Sequence, residues 1–248
     1  MIQIVDLHKK FGDNHVLRGV NLTFERCETT VIIGRSGCGK SVLVKHLIGL
    51  LKPNQGKIIV DGEDITNYRG AKLFRLRRKF GMLFQGSALL DSMTVGENVG
   101  LGLRHHTALG EEAIQERVKS RLALVGLSGL ESLYPAELSG GMKKRVGLAR
   151  AMALDPQYVI FDEPTTGLDP IMADVINELI IRLQKELCIT SIAVTHDMVS
   201  ATKIADRIAM LHEGRIIFDG TPEQIRQSKD PIVQQFIQGS ASGPIKPV

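Results

Sequence analysis

The stretch Gly34-Arg35-Ser36-Gly37-Cys38-Gly39-Lys40-Ser41 constrains the fold more than any other part of the chain. Two glycines, a lysine and a serine stand at the spacing of a phosphate-binding loop. Such a loop works only between a strand and a helix. Thr30-Val31-Ile32-Ile33 is a short apolar run suited to a buried strand. After it, Val42, Leu43, Val44, Leu47, Ile48, Leu50 and Leu51 make 41–51 read as a buried helix, ended by Pro53. An α/β core follows from that order. The glycines let backbone N–H groups turn toward phosphate oxygens. The helix N-terminus adds its dipole. Lys40 is placed to reach the β- and γ-phosphates of a nucleotide and Ser41 Oγ to ligate Mg²⁺. Cys38 lies where thiolates are favoured, beside a helix N-terminus, or is simply a small buried residue.

Around this core the pattern changes along the chain. Ile2, Ile4 and Leu7, then Val20, Leu22 and Phe24 between polar neighbours, predict strands of an N-terminal antiparallel β subdomain. Lys57–Val60 with Asp61-Gly62 reads as strand and turn. Between about residues 86 and 155 helices dominate. Over 111–126, Ile114, Val118, Leu122 and Val125 fall on one face, and another helix begins after Gly141 and runs to about Leu154. This block reads as a helical subdomain inserted into the core. Strands return at Val159–Phe161 and Thr190–Val194. Arg207–Leu211 and Arg215–Asp219 form a hairpin around Glu213-Gly214. Thr221-Pro222-Glu223-Gln224 has the capping-box pattern. Residues 1–238 form one domain, and the Gly-, Ser- and Pro-containing 239–248 a flexible tail.

Two further features sharpen the chemistry. Leu138-Ser139-Gly140-Gly141-Met142 is a second glycine loop opening a helix, and one nucleotide does not need two. The economical reading gives them different nucleotides: each chain holds one with its first loop and caps a partner's with its second. Downstream, the apolar run 158–161 delivers Asp162 and Glu163 to a strand's carboxyl end, where ligands gather in open α/β sheets. Successive strand residues point in opposite directions. Asp162 therefore suits Mg²⁺, and Glu163 the attacking water as general base. Gln85, after Phe80–Phe84, suits Mg²⁺ and the lytic water, or is a polar strand end. His196, after Ile192–Thr195, suits the γ-phosphate. Phe11 either stacks on adenine or is a small core aromatic. Gly167-Leu168-Asp169-Pro170 reads locally as a turn. His105 and His106 read as solvated.

Composition excludes some functions. The net charge of +4, with 4% aromatic residues and no Trp, is too weak a basic signature for nucleic acid and suits polyphosphate or an anionic membrane surface. No run approaches the ~18 apolar residues of a membrane span. The first residues lack the basic flank and apolar core of a secretory leader. The expectation is a cytosolic protein that meets membranes through partners. Cys27, Cys38 and Cys188 are unclustered and read as reduced thiols.

Together, 34–41, Gln85, 138–142, Asp162-Glu163, Asp169 and His196 resemble, in content and order, the ATP-binding cassette (ABC) ATPases over about residues 2–225. The resemblance implies a P-loop NTPase core with a mixed sheet, the ABC ATPase fold. It implies ATP and Mg²⁺, and a head-to-tail dimer whose ATP sites lie between the loop of one copy (34–42) and Ser139-Gly140-Gly141 of the other. It assigns Phe11 to adenine, Gln85 to sensing and coupling, Asp169 to cross-talk and His196 to the γ-phosphate switch. Leu83–Val95, Leu138–Val146 and the ending Asp230–Gly239 with Gly243-Pro244 are similar to the Mla and Mce group of lipid-transport ATPases. Thr165-Thr166-Gly167-Leu168-Asp169 has the more general ABC form. The finer resemblance implies phospholipid transport between inner and outer membranes, from the cytoplasmic face of the inner membrane. Its implied partners are integral-membrane permease subunits, an MCE lipid-binding protein and a STAS-domain protein. The alternatives are an importer ATPase for amino acids or other small polar solutes, and a soluble ABC protein acting on ribosomes or DNA. A nucleotide-binding regulator that does not hydrolyse ATP is disfavoured by Glu163 and His196.

Overall fold

The computed structural model describes residues 1–246; Pro247 and Val248, the last two of the expected tail, lie outside the described residues. In chain order the elements are β1 (Ile2–Phe11), β2 (Asn14–Phe24), β3 (Thr29–Ile33), α1 (Lys40–Leu47), β4 (Gln55–Val60), β5 (Glu63–Asp64), α2 (Gly70–Arg77), β6 (Phe80–Leu83), α3 (Val95–His106), α4 (Glu111–Leu124), a 3₁₀ turn (Pro135–Glu137), α5 (Gly140–Ala151), β7 (Tyr158–Asp162), α6 (Pro170–Leu187), β8 (Thr190–Val194), α7 (Met198–Ile204), β9 (Arg207–His212), β10 (Arg215–Gly220), α8 (Pro222–Arg226) and α9 (Pro231–Gln238). They fall into two compact units, 1–69 with 192–248 and 70–191.

In the first unit β2, β1, β4 and β5 form an antiparallel sheet in that order. Ile2 and Ile4 alternate inward as a half-buried strand requires. A register shift follows at Asp6, whose φ is 47°, and turns Leu7 rather than Asp6 into the core. β3 is buried along its whole length and pairs in parallel with β9, which pairs antiparallel with β10. The hairpin turn uses Glu213 and Gly214, both at positive φ, as a tight two-residue connection demands. The capping box at Thr221 is present: its hydroxyl accepts from Gln224 N–H while the Gln224 side chain accepts from Thr221 N–H.

α1 stops earlier than Pro53 would dictate. Gly49 adopts φ 63°, its N–H bonds to His46 O, and Leu50 N–H bonds to Lys45 O. This is a Schellman ending, which closes a helix wherever glycine supplies the left-handed residue. Leu50, expected on a buried face, is exposed as a result. The tail is tied back as far as Lys246. The buried Gln235 amide donates to Ser240 O and Ile245 O and accepts from Ile245 N–H, and Arg35 donates to Lys246 O at 2.8 Å. Cys27, at φ 58° after β2, is disulfide-bonded.

In the second unit β6 and β7 pair in parallel, with Leu83 opposite Phe161. Phe80 stacks on Tyr158 at 4.9 Å. α3 opens with a capping box at Thr94 and Glu97. α4 buries Ile114, Val118 and Leu122, the face read from the 3.6-residue period, and Val125 just past its end is buried with them. Ile114 and Val118 pack over Gly100 of α3. α6 buries Ile176, Leu179, Ile180 and Leu183. Cys188, its left-handed C-cap, is disulfide-bonded too. The reading of three reduced thiols therefore holds for Cys38 alone. A disulfide depends on a Cα separation of roughly 4.4–6.8 Å, which the spacing of three scattered cysteines does not reveal.

Candidate functional site

Each unit carries part of the chemistry. In the first, β3 runs into Gly34, whose φ is 149° and whose missing Cβ leaves room for Leu211 O, 2.3 Å from where that atom would sit. Gly37 and Gly39 follow at φ 78° and 109°. Only glycine holds such angles without strain, so the loop curls tightly over the start of α1. No side chain caps α1, and its first turn contains no acid. Those first N–H groups and the dipole thus offer a seat for an anion. Lys40 is buried, with its ammonium donating to Gly34 O at 2.7 Å and Arg35 O at 3.0 Å. The cation is folded into the loop whose N–H groups would cradle phosphate. Ser36 is exposed, while Ser41 and Val42 are partly buried on the first turn of α1.

His196 lies just past β8, where Thr195 N–H bonds to Ile32 O of β3, two residues before Gly34. The imidazole is exposed at the head of α7, whose N-cap is Asp197. Phe11 stands at the tip of the β1–β2 hairpin, 46% exposed, with Lys9 Nζ 5.0 Å above its ring. That removes the reading of a core aromatic. Farther along the hairpin, Val16 and Leu17 lie against Gly39.

Cys38 departs from the electrostatic expectation. Burial pushes its thiol up, outweighing the pull of the nearby Lys40 charge. Its Sγ lies 2.9 Å from the point a Cβ on Gly34 would occupy, so it faces back into the loop. The thiolate is the reactive form, and raising the pKa depletes it at neutral pH. We expect alkylation of Cys38 at pH 7 to be slower than that of a free thiol, to accelerate as pH rises past the ordinary thiol range, and to slow further with ATP. Timed labelling read by mass spectrometry checks this. Equal rates with and without ATP would contradict nucleotide seating over this loop.

In the second unit the parallel register of β6 and β7 sets Gln85 and the Asp162-Glu163 pair at neighbouring strand ends. Asp162 closes β7 and is half-buried. Glu163 is 9% exposed and takes φ 51°, a left-handed conformation that glutamate adopts at a cost of ~1–2 kcal/mol. Strain of this kind concentrates at functional positions. It also means that Glu163 is not a plain continuation of the strand: the chain turns there. Thr166 Oγ1 donates to Glu163 Oε2 at 3.1 Å and fixes the carboxylate. Gln85 is exposed, and its carbonyl accepts from Lys144 Nζ, which also donates to Glu163 O at 3.1 Å.

Ser139 and Gly140 are exposed at the head of α5, where Ser139 Oγ accepts from Met142 N–H at 3.3 Å. Asp169 caps α6, accepting from Ile171 N–H and Met172 N–H at 3.0 Å each. The two helix heads touch. Met172 Cε lies 2.5 Å from where a Cβ on Gly141 would be, and Leu168 packs at 3.7 Å from that of Gly140. The structure therefore groups Phe11, 34–42 and His196 in one unit, and Gln85, 139–141, Asp162, Glu163 and Asp169 in the other. Thr166 and Lys144 were not picked out as site residues from sequence. Their only signal is proximity to the motifs, in Thr165-Thr166-Gly167 and Met142-Lys143-Lys144-Arg145.

Ser41 in the first unit carries a hydroxyl and Asp162 in the second a carboxylate, each an oxygen donor of the kind Mg²⁺ takes beside phosphate and water.

Residues 17–166 match the ABC transporter domain family. The chain is 43% identical to the intermembrane phospholipid transport system ATP-binding protein MlaF of Haemophilus influenzae, over 99% of this chain and 93% of that protein. It is 42% identical to the probable ribonucleotide transport ATP-binding protein mkl of Mycobacterium tuberculosis, over 98% of this chain and 68% of that protein. Among solved structures, the ATP-binding cassette MJ0796, a dimer in a post-hydrolysis state bound to ADP and phosphate, superposes with a TM-score of 0.82 at 31% identity, covering 90% of this chain and 99% of that one.

Proposed function

Because the chain belongs to the ABC transporter family, we propose that this ATPase powers the movement of phospholipid between inner and outer membranes, as the Mla group does. The observation that carries the cargo is the near full-length likeness to the Haemophilus phospholipid-transport subunit. The mycobacterial relative, whose name concerns ribonucleotides, is matched over a smaller share of its length.

In this reading ATP lies on residues 34–42 with Lys40 at its β- and γ-phosphates and Phe11 against adenine. Ser41, Asp162 and Gln85 hold Mg²⁺, which when bound neutralises charge on the phosphate oxygens. Glu163 takes a proton from the attacking water, and His196 and Gln85 register the γ-phosphate. A second copy supplies Ser139-Gly140-Gly141, whose exposed helix head donates to the same phosphate, and Asp169 links the two sites. Closure of the dimer then depends on an anion bound by both copies, and hydrolysis removes it. No helix among the described residues is long and apolar enough to cross a membrane. Work on lipid passes through permease subunits at the cytoplasmic face of the inner membrane, with an MCE protein and a STAS-domain protein as further partners.

Purification of the tagged chain from native membranes in mild detergent tests the cargo. The expected result is a permease recovered with an MCE protein and phospholipid. A permease recovered with a solute-binding protein, or with bound nucleotide or amino acid as cargo, would discard the lipid assignment and keep the ATPase. Recovery in the soluble fraction with ribosomes or DNA would discard transport.

A further inference from the structure

We propose that Lys144 is a positioning residue for hydrolysis. It holds the backbone of Glu163 and of Gln85 in one arrangement and joins both to the helix that begins at Ser139-Gly140-Gly141. The inference deepens the reading above and rests on Glu163 as the base.

Lys144 lies one turn into α5 and is 5% exposed. Burying an ammonium is unfavourable unless it is hydrogen-bonded. Here it donates to two main-chain carbonyls, Gln85 O and Glu163 O, the latter at 3.1 Å. Those carbonyls belong to the residues that follow two adjacent parallel strands, β6 and β7. Burial lowers the Lys144 pKa, and the charges of Glu163 and Asp162 act against that shift. The ammonium therefore lies within the electrostatic reach of both acids.

The held segments need outside support. Glu163 sits at φ 51°, and Ser87 and Ala88 follow Gln85 at φ 60° and 47°. Such conformations persist only where surroundings over-determine them. Farther along α5, Arg150 donates to Ser87 O and Ala88 O at 2.6 Å each. Asn98 adds bonds to Leu90, Met93 and Thr94. These contacts secure 87–94 without touching Glu163. Lys144 bonds both strand ends, so a displacement of α5 reaches Gln85 and Glu163 together. Removing its ammonium leaves the Arg150, Asn98 and Thr166 contacts in place and takes away the group that bonds the Gln85 and Glu163 backbones together.

The test uses the full chain in its native membrane complex, with wild type, Lys144→Met, Lys144→Arg, and Glu163→Gln as the control for the underlying reading. Steady-state hydrolysis gives kcat and KM, and fluorescent-ATP titration gives Kd. Lys144→Met is expected to lower kcat roughly 10²-fold, the cost of misplacing a reacting group by about 1 Å, with KM and Kd within about 3-fold of wild type. Lys144→Arg, which keeps a permanently charged N–H donor in a planar, bulkier group, is expected to restore part of kcat. If Glu163→Gln is inactive and Lys144→Met keeps kcat within about 2-fold of wild type, the positioning role is overturned. Parallel loss of kcat and ATP binding, not rescued by arginine, overturns it in favour of a structural role. If Lys144→Met does not assemble, Lys144→Ala, which removes the donor without placing a long apolar chain in the site, is read against the same limits. An active Glu163→Gln enzyme would instead remove the reading of Glu163, whatever Lys144 does.

Discussion

Replacing Glu163 by Gln is expected to lower ATP turnover roughly 10²–10⁴-fold, the range general-base catalysis contributes, while leaving ATP affinity unchanged. The substitution is nearly isosteric. Lys144 bonds the backbone carbonyl of this residue, not its side chain, so that contact is kept. The hydroxyl of Thr166, which donates to Oε2, can donate equally to an amide oxygen. What is lost is the capacity to accept a proton from water. Binding is assigned to Phe11, 34–42, the Mg²⁺ ligands and a partner's 139–141, and Glu163 is none of these, so affinity has no reason to change. Single-turnover hydrolysis together with nucleotide titration reads both quantities. Turnover near wild type would remove Glu163 as the base.

Ser139→Arg is expected to bring turnover to background with the chain still folded. Ser139 is exposed and caps α5 by accepting from Met142 N–H. Arginine cannot accept, so the cap is lost at a cost of about 1 kcal/mol, which corresponds to a fall of roughly 2–4 °C in Tm for a chain of this size. Gly140 and Gly141 remain, so the helix head survives. A long guanidinium side chain now stands over the N–H groups that would face a partner's nucleotide. A thermal melt and a hydrolysis assay on the same sample separate the two effects. Retained turnover would show that the head of α5 does not meet nucleotide, and a large loss of Tm would return Ser139 to a structural role.

Much of this arrangement is legible in the residues themselves because it is local. The buried strand before Gly34, the face of α4, the Glu213-Gly214 hairpin and the Thr221 capping box are set by patterns a few residues long, and the structure contains each of them. Other features depend on contacts between distant positions. The end of α1 at Gly49 turns on backbone angles that a downstream proline does not set. Lys144 is 59 residues from Gln85 and 19 from Glu163 in the chain, and helical periodicity marks it only as a cation among cations. The disulfide bonding of Cys27 and Cys188 and the raised pKa of Cys38 both require knowledge of burial and proximity. The bonds from Gln235 and Arg35 to the chain's end were hidden for the same reason, in a stretch whose composition reads as flexible.

The central claim is that the two glycine loops of one chain serve different nucleotides, and equal mixing of Lys40→Ala and Ser139→Arg chains tests it most directly. Each variant alone spoils both sites of its own dimer. In a mixed dimer, the intact 34–42 loop of the Ser139→Arg copy would face the intact Ser139-Gly140-Gly141 of the Lys40→Ala copy. The account predicts that mixing restores ATP hydrolysis, up to about a quarter of wild type when pairing is random and one site in each mixed dimer is intact. A mixture as inactive as its two parents, with mixed dimers shown to form, would contradict it and confine both loops to a nucleotide within one copy.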